Sequence, residues 1–117
     1  MKNVTIYHNP RCSKSRETLA LLEQHGVTPE VVLYLETPPS LEQLKKLQKE
    51  LGFTSARELM RKKEDLYKEL KLADESLSEA QLLAAMVANP KLIERPIVVS
   101  GNKARIGRPP EQVLEIL

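Results

Sequence analysis

The segment His8-Asn9-Pro10-Arg11-Cys12-Ser13-Lys14-Ser15-Arg16 decides how this chain reads. An apolar run, Val4-Thr5-Ile6-Tyr7, stops just before it, and a helical pattern begins near Arg16, so the chain's only cysteine falls at a strand-to-helix turn. The first turn of a helix has backbone N–H groups without intrahelical partners and carries the positive end of the macrodipole. Both favour a thiolate and any oxyanion beside it. His8, Arg11, Lys14 and Arg16 put further positive charge within a few residues, and cationic neighbours favour the ionised form of a thiol. A reactive Cys12 follows. The alternative is a buried cysteine packed as a small apolar group, and the polar run from Ser13 to Arg16 argues against it.

Outward from this turn the pattern is α/β. The first helix carries Leu19, Leu21 and Leu22 and stops at His25-Gly26, where glycine can take the left-handed conformation that closes a helix and His25 sits at its negative end. Val31 to Leu35 is nearly continuous in apolar character, which predicts a central strand covered on both faces. Strand, helix and strand in so few residues imply a right-handed parallel crossover. Thr37-Pro38-Pro39 then breaks the chain, and Ser40-Leu41-Glu42-Gln43 has the form of a capping box. It opens a helix with Leu41, Leu44, Leu47 and Leu51 on one face, ended by Gly52. A second box, Ser55 to Glu58, opens a shorter helix that runs to the basic cluster Arg61-Lys62-Lys63, read as a solvated helix end. A third, Ser78 to Gln81, opens a helix through Leu82, Leu83, Met86 and Val87, stopped by Asn89-Pro90. The middle of the chain, about residues 40–89, therefore reads as a helical insert.

Strands return at Ile97-Val98-Val99 and Lys103 to Ile106, joined through Ser100-Gly101-Asn102 as an antiparallel hairpin. Gly107-Arg108-Pro109-Pro110 leads into a last helix, Glu111 to Leu117. The order β-α-β, helical insert, β-β-α is the thioredoxin-like arrangement, an α/β fold with a mixed four-stranded sheet. In that fold a proline lies beside the cysteine. Arg95-Pro96-Ile97 occupies that place, with a cis peptide expected before Pro96.

Composition narrows the function classes. At 117 residues the chain suits a single domain, and its apolar (41%) and charged (29%) fractions are those of a soluble globular protein. No run is long enough to span a membrane, and the N-terminus has no secretory pattern. A lone cysteine cannot form an internal disulfide, so a cytoplasmic, reducing location is expected. A net charge of +2, one Phe, three Tyr and no Trp give no platform for nucleic acid. One cysteine and two histidines do not make a metal site.

Four strings carry a closer resemblance: YHNPRCSKSRETL, YLETPPS, the run from RELMRKKEDLYKEL to LIERPIVV, and ARIGRPPEQVLEIL. Together they resemble the glutaredoxin-coupled arsenate reductase (ArsC-type) family over essentially the whole chain. The resemblance implies reduction of arsenate to arsenite with glutathione as reducing co-substrate, glutaredoxin as partner and no bound cofactor. It implies Cys12 as nucleophile, His8 and Ser15 as residues that tune its thiolate, and Arg61, Arg95 and Arg108 as oxyanion-binding groups. The chemistry of those residue types agrees, because arginine offers a planar, permanently charged fork that matches an oxyanion better than lysine does. With no second cysteine the electrons must come from outside thiols. A monomer is expected, and Arg57 and Arg105 are read as solvated. Where family members usually carry a small residue before the cysteine and Gly-Thr after it, this chain has Arg11 and Ser13-Lys14, which adds positive charge.

Two other classes share features with this reading. Cys12-Ser13-Lys14-Ser15 is also a C-x-x-S motif, as in a monothiol glutathione-dependent thiol oxidoreductase. A non-enzymatic regulator of the Spx kind has a similar fold, but its switch is a cysteine pair, and position 15 here is Ser.

Overall fold

The structure, a computed structural model, describes residues 3–117. They fall into two compact units, one of residues 3–37 with Arg95–Leu117 and the other of Pro38–Glu94.

The first unit is built on a mixed four-stranded sheet of order β2-β1-β3-β4, with β1 at Val4–Tyr7, β2 at Glu30–Val32, β3 at Ile97–Ser100 and β4 at Lys103–Ile106. β1 pairs parallel with β2 and antiparallel with β3, and β3 pairs antiparallel with β4, in the thioredoxin-like order expected. Ile6 and Val98 are register partners and fully buried. They share a cluster with Leu22 of helix α1 (Ser13–Gln24) and with Val113 and Ile116 of the C-terminal segment. Removing a side chain such as Leu22 from this cluster would cost about 2–5 kcal/mol, the transfer term plus the cavity left behind. The cluster is what anchors α1 to the sheet, and with it the turn at its N-terminus.

Several local expectations are corrected. α1 begins at Ser13, with Cys12 as N-cap, rather than near Arg16. The last helix, Pro110–Ile116, is a 3-10 helix rather than an α-helix. The run Val31–Leu35 does not form a central strand. β2 ends at Val32 on the sheet edge, Val31 and Leu35 stay exposed, and Leu33 O accepts the N–H groups of Glu36 (2.9 Å) and Thr37 (2.8 Å) to turn the chain away. The peptide bonds Arg95–Pro96 and Arg108–Pro109 are both cis.

The second unit holds α2 (Leu41–Leu51), a 3-10 turn at Ala56–Leu59, α3 (Asp65–Glu69), α4 (Glu79–Ala88) and a 3-10 turn at Pro90–Leu92. All three capping boxes are formed, with Ser40, Ser55 and Ser78 as N-caps. The second opens only the 3-10 turn, and α3 lies beyond the patterns read from the sequence. Leu44, Leu47 and Leu51 bury one face of α2, and Gly52 closes it at φ 77°. α2 and α4 pack on each other and on the first 3-10 turn, around Leu59, Leu82 and Met86. Arg57 is not simply solvated, since its guanidinium donates to the carbonyls of Leu72 and Asp74 and so ties the loop after α3 to the first 3-10 turn. No helix of the described residues is long and apolar enough to cross a membrane.

Candidate active site

Cys12 reaches its position because the end of β1 and the start of α1 are stitched together. His8 N–H donates to Val32 O at 2.9 Å, which ties the outgoing chain to β2. Asn9 Oδ1 accepts the Arg11 N–H at 3.0 Å, an Asx turn, and Cys12 N–H closes on Asn9 O at 3.0 Å. Cys12 then takes an extended conformation (φ −93°, ψ 124°), and its carbonyl accepts the Arg16 N–H at 3.0 Å as the first turn of α1 forms. The thiol is free and partly accessible, so the buried-cysteine alternative does not hold.

Beneath the turn, Ser15 Oγ and His8 Nδ1 lie 2.6 Å apart. Both side chains are buried, and Ser15 Oγ also accepts the Asn9 N–H at 3.0 Å. With that N–H directed at the oxygen, the Ser15 proton is available to Nδ1. Burial lowers the His8 pKa, so the imidazole is held neutral at neutral pH. The hydrogen bonds of this pair tie the end of β1 to the first turn of α1.

One arginine reaches the same turn from the far end of the chain and bonds the backbone of a second. Arg108 Nη2 lies 3.8 Å from Cys12 Sγ, while its Nε donates to Arg95 O at 2.8 Å. One guanidinium therefore faces the sulfur and holds the strand that enters β3. Arg95 Nε and Nη1 are shielded from solvent and have no hydrogen-bond partner among the described residues. Buried charged donors left unpaired are costly, and an anion supplies what they lack.

Gly107 sets how closely Arg108 approaches. A Cβ there would stand 2.5 Å from Thr18 Oγ1 and 2.9 Å from Pro96 Cγ, closer than real contacts allow. Only glycine lets the segment after β4 lie against α1, and Gly107 N–H locks it by donating to Pro96 O at 2.9 Å. Thr18 in turn donates to Lys14 O at 2.8 Å.

The structure thus joins Cys12 with Arg108, Arg108 with the backbone of Arg95, and His8 with Ser15. Arg61 lies in the second unit, where it pairs with Glu64 at 3.3 Å and Glu94 at 3.9 Å. Arg105 pairs with Glu115 at 3.3 Å, partly exposed. Asn9, Thr18 and Gly107 were not singled out from the sequence. The Asn9-Pro10 pair is a turn signal that could have marked Asn9, whereas nothing local marks the contact between Thr18 and Gly107. Among the described residues no group of three or more His, Cys, Asp or Glu could hold a metal ion.

Comparison with known proteins identifies the family. The chain is 55% identical to the arsenate reductase of Haemophilus influenzae over 115 residues, covering 98% of this chain and 99% of that one. It is 73% identical to the uncharacterized protein YfgD of Escherichia coli K12, covering 99% and 98% of the two chains. The solved structure of the arsenate reductase from Vibrio cholerae superposes with a TM-score of 0.98 at 64% identity, covering 99% of this chain and 98% of that one. The ArsC family model matches residues 7–116, and on that match the chain belongs to the ArsC family.

Proposed function

We propose that this protein is an arsenate reductase that uses glutathione and glutaredoxin. The observation that carries the reading is the Arg108 guanidinium 3.8 Å from Cys12 Sγ, bonded also to the backbone carbonyl of Arg95, whose buried Nε and Nη1 have no partner among the described residues. A nucleophilic sulfur beside donors that need an anion suits attack on a bound oxyanion. The name carried by relatives of this family supports arsenate as that oxyanion.

In this reading Arg95 and Arg108 hold arsenate, and Arg61 is the third proposed donor. The Cys12 thiolate attacks arsenic and expels hydroxide, giving a thiol–arsenate ester in which arsenic is still pentavalent. The glutathione thiolate then attacks the Cys12 sulfur. The S–As bond breaks with its electron pair passing to arsenic, which leaves as arsenite and takes up protons from water. Two electrons have moved from the sulfurs to arsenic, and the products are arsenite and a Cys12–glutathione mixed disulfide. Glutaredoxin resolves that disulfide by thiol exchange. His8 and Ser15 act by holding the loop so that Cys12 stays at the N-terminus of α1. The enzyme works as a monomer in the cytoplasm, where the glutathione pool keeps its one thiol reduced.

The test is a coupled assay with arsenate, glutathione and glutaredoxin, following NADPH consumption through glutathione reductase. Wild-type protein is expected to consume NADPH only with all three present, and Cys12→Ser to be inactive. Wild-type protein that fails to turn over overturns the reading, and a Cys12→Ser variant that retains activity removes the nucleophile.

A further inference from the structure

We propose that the groove between the Cys12 loop and the turn after β2 is the docking site for glutathione, an inference that rests on the proposed use of that thiol. The groove has a volume of about 310 Å³ and is lined by His8, Asn9, Pro10 and Arg11 from the first segment and by Leu33, Leu35 and Glu36 from the second. It lies wholly within the first unit.

Three features make this a site rather than a crevice. Its walls are held by hydrogen bonds on both sides: Asn9 Oδ1 fixes the Arg11 backbone at 3.0 Å, Leu33 O fixes that of Glu36 at 2.9 Å, and His8 N–H to Val32 O at 2.9 Å joins the two segments. Its two charged side chains are exposed, and among the described residues neither makes an ion pair. Its lining also includes Arg11, the residue bonded to Cys12, so a ligand held there lies close in the chain to the nucleophile.

The charges select the ligand. Glutathione carries a carboxylate at each end, an ammonium beside one of them, and an uncharged thiol-bearing segment in the middle. Arg11 can take a carboxylate through its guanidinium fork, Glu36 can take the γ-glutamyl ammonium, and the apolar Leu33 and Leu35 side chains suit the uncharged middle. Arsenate is the poorer match, because Glu36 repels a multiply charged oxyanion and Leu33 and Leu35 add apolar surface. The groove and the Arg95–Arg108 pair therefore serve different reactants. The exposed apolar character of Leu35, which the pattern of a buried strand does not explain, has a use here.

The test avoids arsenate. Treatment with dithiobis-nitrobenzoate converts the single cysteine to a mixed disulfide. A thiolate attacks the Cys12 sulfur, the disulfide bond breaks, and coloured thionitrobenzoate leaves with the electron pair while the incoming thiol is bound to Cys12. Release is measured with glutathione, with its glycyl ethyl ester and with β-mercaptoethanol. The expected result is a rate that saturates with glutathione and not with β-mercaptoethanol. Arg11→Ser and Glu36→Gln should each lower the glutathione-to-mercaptoethanol rate ratio by about three- to fivefold, the size of one exposed ion pair. Taking the ratio cancels any change in the reactivity of Cys12 itself. A ratio unchanged in both variants, or a glutathione rate that never saturates, overturns the proposal. Because no oxyanion is present, a wild-type protein that fails to reduce arsenate yet shows this preference would sink only the arsenate reading.

Discussion

Ser15 Oγ lies 2.6 Å from His8 Nδ1 inside the protein, and the same oxygen receives the Asn9 N–H at 3.0 Å. The imidazole sits where water does not reach, so its charged form is disfavoured by lost solvation, while Ser15 Oγ remains its hydrogen-bond partner. The His8 pKa is accordingly lowered from about 6.5 by burial. An unfolded chain titrates near 6.5, so below that pH it binds the proton that the folded state refuses. Stability is complete above about 6.5 and falls as pH drops toward the lowered folded value. Chemical denaturation across this window should show the loss in the wild type, and His8→Gln should flatten that part of the pH dependence. At neutral pH, Ser15→Ala should cost about 1–3 kcal/mol by leaving Nδ1 without its partner.

Arg95 is expected to be a residue kept for binding at the expense of stability. Its Nε and Nη1 are buried without partners among the described residues, so Arg95→Met, which keeps the aliphatic bulk and removes the donors, should leave the free protein as stable as the wild type or about 1–2 kcal/mol more stable. Arsenate should raise the Tm of the wild type and leave that of Arg95→Met unchanged. A thermal melt with and without the anion reads both effects.

Gly107→Ala should weaken arsenate binding without touching any group that contacts it. The new Cβ meets Thr18 Oγ1 at 2.5 Å and Pro96 Cγ at 2.9 Å, so the segment carrying Arg108 must move away from α1. Overpacking of this kind costs about 1–3 kcal/mol. Removing the Thr18 hydroxyl and methyl relieves two of the three close contacts, so adding Thr18→Ala should restore part of the arsenate KM. Steady-state kinetics of the single and double variants check this.

The second unit depends on its caps. Ser40 Oγ accepts the Gln43 N–H at 3.2 Å, and Gln43 Oε1 accepts the Ser40 N–H at 2.8 Å. Ser40→Ala should destabilise the protein by about 1 kcal/mol, measured by denaturant titration. Since the cap lies outside the first unit, the thionitrobenzoate release rate of the folded protein should not change.

The features that could be read without coordinates are those whose causes are local. Each capping box is a pair of hydrogen bonds three residues apart, so Ser40, Ser55 and Ser78 announce themselves in any chain that carries the pattern. The glycine stops at Gly26 and Gly52, both at positive φ, are legible for the same reason. The hairpin from Ile97 to Ile106 needs only two apolar runs and a turn. Where an outcome depended on what lies alongside, the pattern misled. Val31 to Leu35 is apolar enough for a central strand, but β2 pairs only with β1, at the sheet edge, and the chain turns away at Leu33, whose carbonyl accepts the Glu36 and Thr37 N–H groups.

By itself, the sequence determined the order of strands and helices, the placement of Cys12 between β1 and α1, and the supply of arginines. Hydrophobic periodicity and capping act over a few residues, and those are enough for such features. Only the tertiary structure decided that Arg108, 96 residues from Cys12, faces the sulfur, that Arg95 is left with unanswered donors, and that Gly107 is the residue permitting the approach. Such contacts come from sheet pairing and the packing of α1, which bring together groups whose separation along the chain carries no trace of their meeting.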